Sequence, residues 1–234
     1  PLLFLHAEDY FEQHSRFLDA LASNWKVVVP RHPGFGGSPL PPHFRTVDDL
    51  AYLYLDLAAK LGLKDAVLVG ACFGGWVAAE MAVRNTTPFS KIVLAAPLGI
   101  KVSGREQRDI ADMHSMTREQ YLAHAWADPS KGEIDTSKLA DAQLQALIRG
   151  REAFALFGWK PYMHNPRLKR WLHRIDKPTL MLWGDRDRIV TPAYGEAWTH
   201  EIKGSCIEVI PGCGHFPLWE KTEDAVKRIA AFAA

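Results

Sequence analysis

Short apolar runs alternate with helical stripes along the first hundred residues. Leu2 to Leu5 is uniformly apolar and gives way to His6-Ala7-Glu8-Asp9-Tyr10, the pattern of a strand covered on both faces. His14 to Trp25 follows with Phe17, Leu18 and Leu21 at helical spacing. Lys26 to Val29 reads as a second buried strand, stopped by Pro30-Arg31-His32-Pro33-Gly34-Phe35-Gly36-Gly37-Ser38, a loop too rich in Gly and Pro to continue either element. Thr46-Val47-Asp48-Asp49 has the chemistry of a helix start, and Leu50, Leu53, Leu57 and Leu61 keep the stripe until Gly62. Val67 to Val69 is a strand, Trp76 to Val83 a helix, and Phe89 to Ala95 a strand closed by Pro97-Leu98-Gly99. Alternation at this spacing predicts an α/β fold with a doubly wound, mostly parallel sheet.

From about Lys101 to Ile175 the alternation stops. Thr117 to Trp126, Thr136 to Phe157 and Pro166 to Trp171 read as helices, with Asp128-Pro129-Ser130-Lys131-Gly132 as a break. Residues 101–175 are therefore expected to be a helical lid inserted into a core formed by 1–100 and 176–234; the alternative is an edge layer of the main domain. The sheet pattern resumes at Thr179 to Trp183. A helix at Ala193 to Ile202, a strand at Ser205 to Ile210 and a terminal helix at Glu223 to Phe232 follow, the last with Ala225, Val226, Ile229 and Phe232 inward.

Chemistry enters where the third strand meets its helix. Gly70-Ala71-Cys72-Phe73-Gly74 is a G-x-nucleophile-x-G turn with cysteine where serine is usual. A strained nucleophile conformation leaves no room for side chains two positions before and after it. Cys72 would sit at a helix N-terminus, where the dipole favours a thiolate and the Phe73 N–H can donate to an oxyanion. The plainer reading is a buried thiol at a Gly-rich turn. Two more strand ends carry matching groups: Asp187 follows Gly184, with Asp185 as a rival acid, and His215 lies beyond the last strand in Gly214-His215-Phe216-Pro217. In open α/β sheets functional groups collect at such carboxyl ends.

Composition narrows the rest. The 234 residues are 47% apolar and 24% charged with net charge +1, which excludes a basic nucleic-acid binder. No apolar run approaches the roughly 20 residues of a membrane span, and Pro1 to His6 lacks the basic flank of a signal peptide; a cytoplasmic location is expected. Cys72, Cys206 and Cys213 are too few and too irregularly spaced for a disulfide framework or a CxxC metal site. The sequence thus calls for no cofactor and no metal, and for a small-molecule substrate.

Taken together, Arg31 to Ser38, Phe73-Gly74-Gly75-Trp76 and Trp183-Gly184-Asp185-Arg186-Asp187, with nucleophile, acid and histidine in that chain order, resemble the α/β-hydrolase fold family over nearly the whole sequence. The chain looks most similar to its lid-bearing branch, which includes meta-cleavage-product hydrolases and carboxylesterases. Epoxide and halide hydrolases, which need Asp as nucleophile, are disfavoured by Cys72. The resemblance implies a Cys72-His215-Asp187 triad, with Cys72 attacking a carbonyl, His215 moving the proton and Asp187 orienting the imidazole. It also implies an oxyanion hole from the backbone N–H groups of Phe73 and Ala7, and that the family's first two strands are missing before Leu2. The strand Lys26 to Val29 would then be a sheet edge, which a homodimer would cover.

Two departures stand out. Ala7 and Glu8 follow His6 where the family has His-Gly, which costs little only if φ at Ala7 is negative. Cysteine is a better leaving group than serine, so substrates whose own leaving group is good are favoured. The expected activity is cofactor-free hydrolysis of activated esters, lactones or related carbonyl compounds through an acyl-enzyme, the cysteine-using dienelactone hydrolases being the nearest chemical analogy. Two alternatives stay open: a ligand-binding member without turnover, and a carbon–carbon bond hydrolase or lyase in which His215 and Asp187 act and Cys72 does not. His6, Trp76, Trp126 and Trp159 are candidate pocket residues, with Phe154, Phe157 and Tyr162 as further aromatic candidates.

Overall fold

A computed structural model describes residues 1–8, 15–104 and 106–234. Six strands, β1 (Leu2–Leu5), β2 (Val27–Val28), β3 (Ala66–Ala71), β4 (Phe89–Ala95), β5 (Thr179–Gly184) and β6 (Ser205–Ile210), form one sheet in the order β2-β1-β3-β4-β5-β6. Every neighbouring pair is parallel. β1 and β3 to β5 are Val, Leu and Ala-rich and almost wholly buried, because helices cover both faces.

The helices of the core are α1 (Ser15–Ala22), α2 (Val47–Lys60), α3 (Phe73–Arg84), α7 (Pro192–Glu201), α8 (Pro217–Glu220) and α9 (Thr222–Ala233). From β1 the chain moves outward to β2, then crosses back to β3 and continues the other way. Since crossovers are right-handed, this reversal puts α1 on one face and α2 and α3 on the other; accordingly α1 packs with α9 and α2 with α3. Between β4 and β5 lie α4 (Arg118–Ala125), α5 (Asp141–Gly158) and α6 (Leu168–Trp171), without a strand among the described residues.

Several element boundaries differ from the sequence reading. The helix expected from Thr136 to Phe157 is divided: Asp135 accepts from the Ser137 N–H at 3.1 Å, which closes a single tight turn over Thr136–Lys138. The chain then extends through Leu139 and Ala140 before α5 starts at Asp141. β2 is two residues rather than four, a half-buried edge strand. α3 begins three residues earlier than its apolar stripe suggested, directly after Cys72. His14, expected to open the first helix, and Asp9-Tyr10 of the loop after β1 lie outside the described residues. Among the described residues no helix is long and apolar enough to cross a membrane.

The register fixes where chemistry can occur. Leu5 pairs with Gly70, Ala71 with Ala95, and Ala95 with Leu182, so the carboxyl ends of β1, β3, β4 and β5 are level. The loops beyond them meet where the strand order reverses, between β1 and β3, the place open α/β sheets use for ligands.

Candidate active site

Cys72 is the hinge of the β3–α3 turn. Its backbone has φ 48° and ψ −112°, a left-handed φ that a residue with a Cβ adopts only at a cost of about 1–3 kcal/mol. The neighbours enforce it. The Cys72 N–H donates to Ala95 O at 2.9 Å, and Cys72 O accepts from Trp76 at 3.1 Å and Leu98 at 3.2 Å. A Cβ at Gly74 would overlap the carbonyl oxygens of Leu5 and His6, and one at Gly70 would lie 2.5 Å from Gly74 O. Glycine at these two places lets the elbow press against β1.

The three candidate catalytic side chains converge. His215 Nε2 lies 2.9 Å from Cys72 Sγ, and His215 Nδ1 lies 2.8 Å from Asp187 Oδ2. All three residues are buried. The other Asp187 oxygen accepts from the N–H groups of Ile189 at 2.9 Å and Val190 at 3.1 Å, which fixes the carboxylate. Asp185, the rival acid, instead accepts from Cys213 N at 3.1 Å. With Nδ1–H donating to Asp187, Nε2 carries the lone pair and the Cys72 thiol is the donor; this tautomer is assigned from the hydrogen-bond geometry.

The segment between β4 and β5 holds this geometry from above. His215 N donates to Ala125 O at 2.6 Å and Arg188 N to His124 O at 3.1 Å. The last carbonyls of α4 are thereby satisfied by the two loops that bear the histidine and the acid.

Electrostatics correct one expectation. Burial raises the Cys72 thiol pKa well above its usual value, and the Glu8 and Asp187 carboxylates add to the rise, while the Phe73 N–H pulls weakly the other way. The helix N-terminus therefore does not produce a resting thiolate. Burial by itself would lower the His215 pKa, but the charge and hydrogen bond of Asp187, with Glu8 behind them, leave it raised. The rise at Cys72 opposes a thiolate, and the rise at His215 makes its imidazole the stronger base.

In the sequence Glu8 stood out only as part of the His6-Ala7-Glu8 departure, not as a candidate site residue. Its carboxylate, Cys72 Sγ and the His215 ring offer atoms within 4.8 Å of one another, and Glu8 Oε1 is 3.5 Å from the Tyr121 hydroxyl. Glu8 also lines a cavity of about 250 Å³ together with His114, Arg118, Tyr121, Arg151 and Phe154. It is the residue common to the cavity wall and to the cluster at the sulfur. The available signal was its place, a carboxylate two positions past His6 in the loop beyond β1.

The candidate pocket residues fare differently. Phe154 lines the cavity and packs on Phe73 with ring centroids 5.5 Å apart. Trp159 does not: it is 62% exposed and, with Tyr162, borders a separate cleft beside Ile100. At the C-terminal cap of α5 it lies off the stripe of Gly150, Ala153, Phe154 and Phe157 that the helix buries. Trp126 packs on Phe216 at 5.3 Å, Trp76 donates to Glu80 at 3.2 Å, and Phe157 is buried against Phe73. His6 is engaged below the site, its Nε2 accepting from His32 N at 3.0 Å. None of these four borders the 250 Å³ cavity. Ala7 is buried and, among the described residues, is not one of the non-glycine positions with positive φ, so alanine replaces the family's glycine there without backbone strain.

The profile of the alpha/beta hydrolase family matches residues 2–231. This chain belongs to the alpha/beta hydrolase family. Named hydrolases and esterases are among its relatives, as for an alpha/beta hydrolase enzyme. A 2-hydroxy-6-oxo-6-phenylhexa-2,4-dienoate hydrolase of Burkholderia cepacia is 26% identical over 241 residues, covering 89% of this chain and 77% of that protein. A pimeloyl-acyl-carrier-protein methyl ester esterase of Neisseria meningitidis serogroup B is 26% identical over 221 residues, covering 87% of this chain and 80% of that protein. The fold of a meta-cleavage product hydrolase from Pseudomonas fluorescens IP01 superposes with a TM-score of 0.79 at 19% identity, over 99% of this chain and 89% of that one.

Proposed function

We propose that this alpha/beta hydrolase cleaves small activated esters, lactones or related carbonyl compounds through a Cys72 acyl-enzyme, without a cofactor. The observation that carries the reading is the continuous relay from Cys72 Sγ to His215 Nε2 at 2.9 Å and from His215 Nδ1 to Asp187 at 2.8 Å. As Sγ attacks the carbonyl carbon, its proton passes to Nε2; the imidazolium, held by Asp187, then protonates the leaving group. Water, deprotonated by the same Nε2, opens the thioester and returns the proton to sulfur. The N–H groups of Phe73 and Ala7 stabilise the oxyanion. Because the thiol is held protonated, attack and proton transfer occur together, and good leaving groups are preferred.

Segment 101–175 serves as the lid, its α4 bonded to the triad loops and its Phe154 on the cavity wall. The test is steady-state turnover of a phenyl ester, an enol lactone and a plain alkyl ester by the wild type and by Cys72→Ala. Turnover of the first two, absent in the variant, is expected; equal rates for both proteins would overturn the reading.

A second reading draws on the raised thiol pKa and on the dienoate hydrolase among the relatives. In it His215 and Asp187 perform the acid–base steps of carbon–carbon cleavage and Cys72 is a bystander. Cys72→Ala would then keep a sizeable rate on a vinylogous 1,5-diketone while His215→Ala would not.

A further inference from the structure

Among the described residues one group of metal-ligating side chains comes together, Glu8, Cys72 and His215, and all three are buried. They arrive from three separate strand ends, after β1, β3 and β6. One carboxylate, one thiolate and one imidazole make a donor set that suits a borderline-soft divalent cation and is poor for the oxygen-seeking Ca²⁺ and Mg²⁺.

We propose that the cluster is a binding site for a thiophilic divalent cation, Zn²⁺ being the natural occupant, held by Glu8 carboxylate oxygen, Cys72 Sγ and His215 Nε2 with a fourth position open toward the cavity.

Three features of the site carry this. Distances come first. A tetrahedral ion about 2.3 Å from sulfur and about 2.0–2.1 Å from nitrogen needs those two atoms about 3.5 Å apart. They lie 2.9 Å apart, with the Glu8 oxygen within 4.8 Å of both. Rotation about the Cys72 Cα–Cβ bond is what must open the first gap, by about 0.6 Å, while the three rotatable bonds of Glu8 can close the second. The outer partners come next. His215 donates its other ring N–H to Asp187 at 2.8 Å, the carboxylate–histidine arrangement that orients a metal-bound imidazole. Asp187 is itself fixed by two backbone N–H groups. The fourth position is the last. Glu8 faces the 250 Å³ cavity, so a water or an anionic substrate group can complete the shell.

Charge also balances in the bound state. Glu8 and Asp187 bring two carboxylates to one buried imidazole and thiol. A divalent cation bound to the Glu8 carboxylate and the Cys72 thiolate forms a neutral unit, and Asp187 keeps its hydrogen bond. On binding, the thiol proton leaves to solvent, the sulfur and nitrogen lone pairs form the metal bonds, and no electron is transferred. The bound ion occupies the two atoms that thiol hydrolysis uses, so metal-loaded protein has no free nucleophile. The site would gate the hydrolase by metal availability, and it stands independently of whether esters are the substrate.

The experiment is titration of the chelator-treated protein with Co²⁺, read by absorbance, followed by displacement with Zn²⁺. Expected are one bound equivalent, a near-ultraviolet thiolate-to-cobalt charge-transfer band with the visible bands of a tetrahedral ion, and their loss on adding Zn²⁺. The charge-transfer band should vanish in Cys72→Ala, with Cys72→Ser as its replacement if the first variant fails to fold by thermal melting. Glu8→Gln should weaken binding by about tenfold or more, and Asp187→Asn by about 10- to 100-fold. Absence of saturable binding at millimolar Co²⁺ overturns the proposal, as does a cobalt complex lacking the sulfur band or unchanged affinity in Glu8→Gln. None of these readouts involves ester turnover, so the metal site and the proposed hydrolysis stand or fall separately.

Discussion

Two buried histidine clusters lie at the same edge of the sheet and have opposite acid–base character. His6 and His32 sit beyond β1 and β2, with ring centroids 3.9 Å apart and ring planes inclined by 40°. The Tyr54 hydroxyl lies 2.6 Å from His32 Nδ1, His32 Nε2–H donates to His6 O at 2.9 Å, and His32 N donates to His6 Nε2 at 3.0 Å. The last of these bonds needs a neutral His6 ring, because Nε2 must accept. Burial pushes His6 down to about 4, with Arg31 adding to the fall, and pushes His32 well below its usual value too. His215 is as deeply buried, yet its pKa is raised because Asp187 and Glu8 face it. Burial sets the same penalty in both places, and the facing carboxylates decide the sign. The first cluster ties the loop that carries Ala7 and Glu8 to the loop after β2; the second holds the residues proposed for chemistry.

The contrast can be broken hardest from the chemical side. Cys72→Ala, His215→Ala and Asp187→Asn are each expected to lower kcat/KM on an activated ester by roughly 10³- to 10⁴-fold. Their melting temperatures should stay close to wild type, which calorimetry checks. On the scaffold side, His32→Phe strips partners from the Tyr54 hydroxyl and His6 O, each worth about 1–3 kcal/mol when buried. Its expected signature is the reverse: a melting temperature lower by several degrees and a smaller loss of rate, about 10- to 100-fold, as the Ala7 N–H loses its position.

Acid sharpens the comparison. His6 is neutral when folded down to about 4 but protonates near 6.5 when unfolded. Its stabilising contribution is complete above about pH 6.5 and is lost as pH falls toward 4, on the order of 3 kcal/mol for this residue. Urea denaturation from pH 7 to pH 4 should show that slope, and His6→Asn should flatten it. The smallest effect concerns His215, whose rate-competent form is neutral. With a raised pKa, the acid limb of kcat/KM in chelator-treated buffer should lie above the ordinary histidine value of 6.5. Glu8→Gln, which removes a raising charge, should move that limb to lower pH; a limb that does not move would remove Glu8 from the electrostatics of the site.

Sequence reading reached the strands, the elbow and the three triad candidates because each has a local cause. Uniform Val and Leu runs mark doubly covered strands, and Gly70 and Gly74 mark a turn whose neighbours allow no side chain. Helix placement between β4 and β5 was less legible. The Asp135 side chain cuts a helix that the apolar spacing alone would continue. As a site residue Glu8 was invisible for a different reason. Nothing in His6-Ala7-Glu8 tells that its carboxylate meets the sulfur of β3's turn and the imidazole beyond β6; that meeting is a product of strand order and register.

The central claim is that the Cys72 sulfur carries the acyl group, and it is most directly tested by acid-quenching the protein during turnover of a phenyl ester and sequencing its peptides by mass spectrometry. An acyl mass on the peptide containing Cys72 is expected, at higher occupancy in the Asp187→Asn variant, where thioester hydrolysis slows. Turnover with that peptide unmodified at every quench time in both proteins would contradict it.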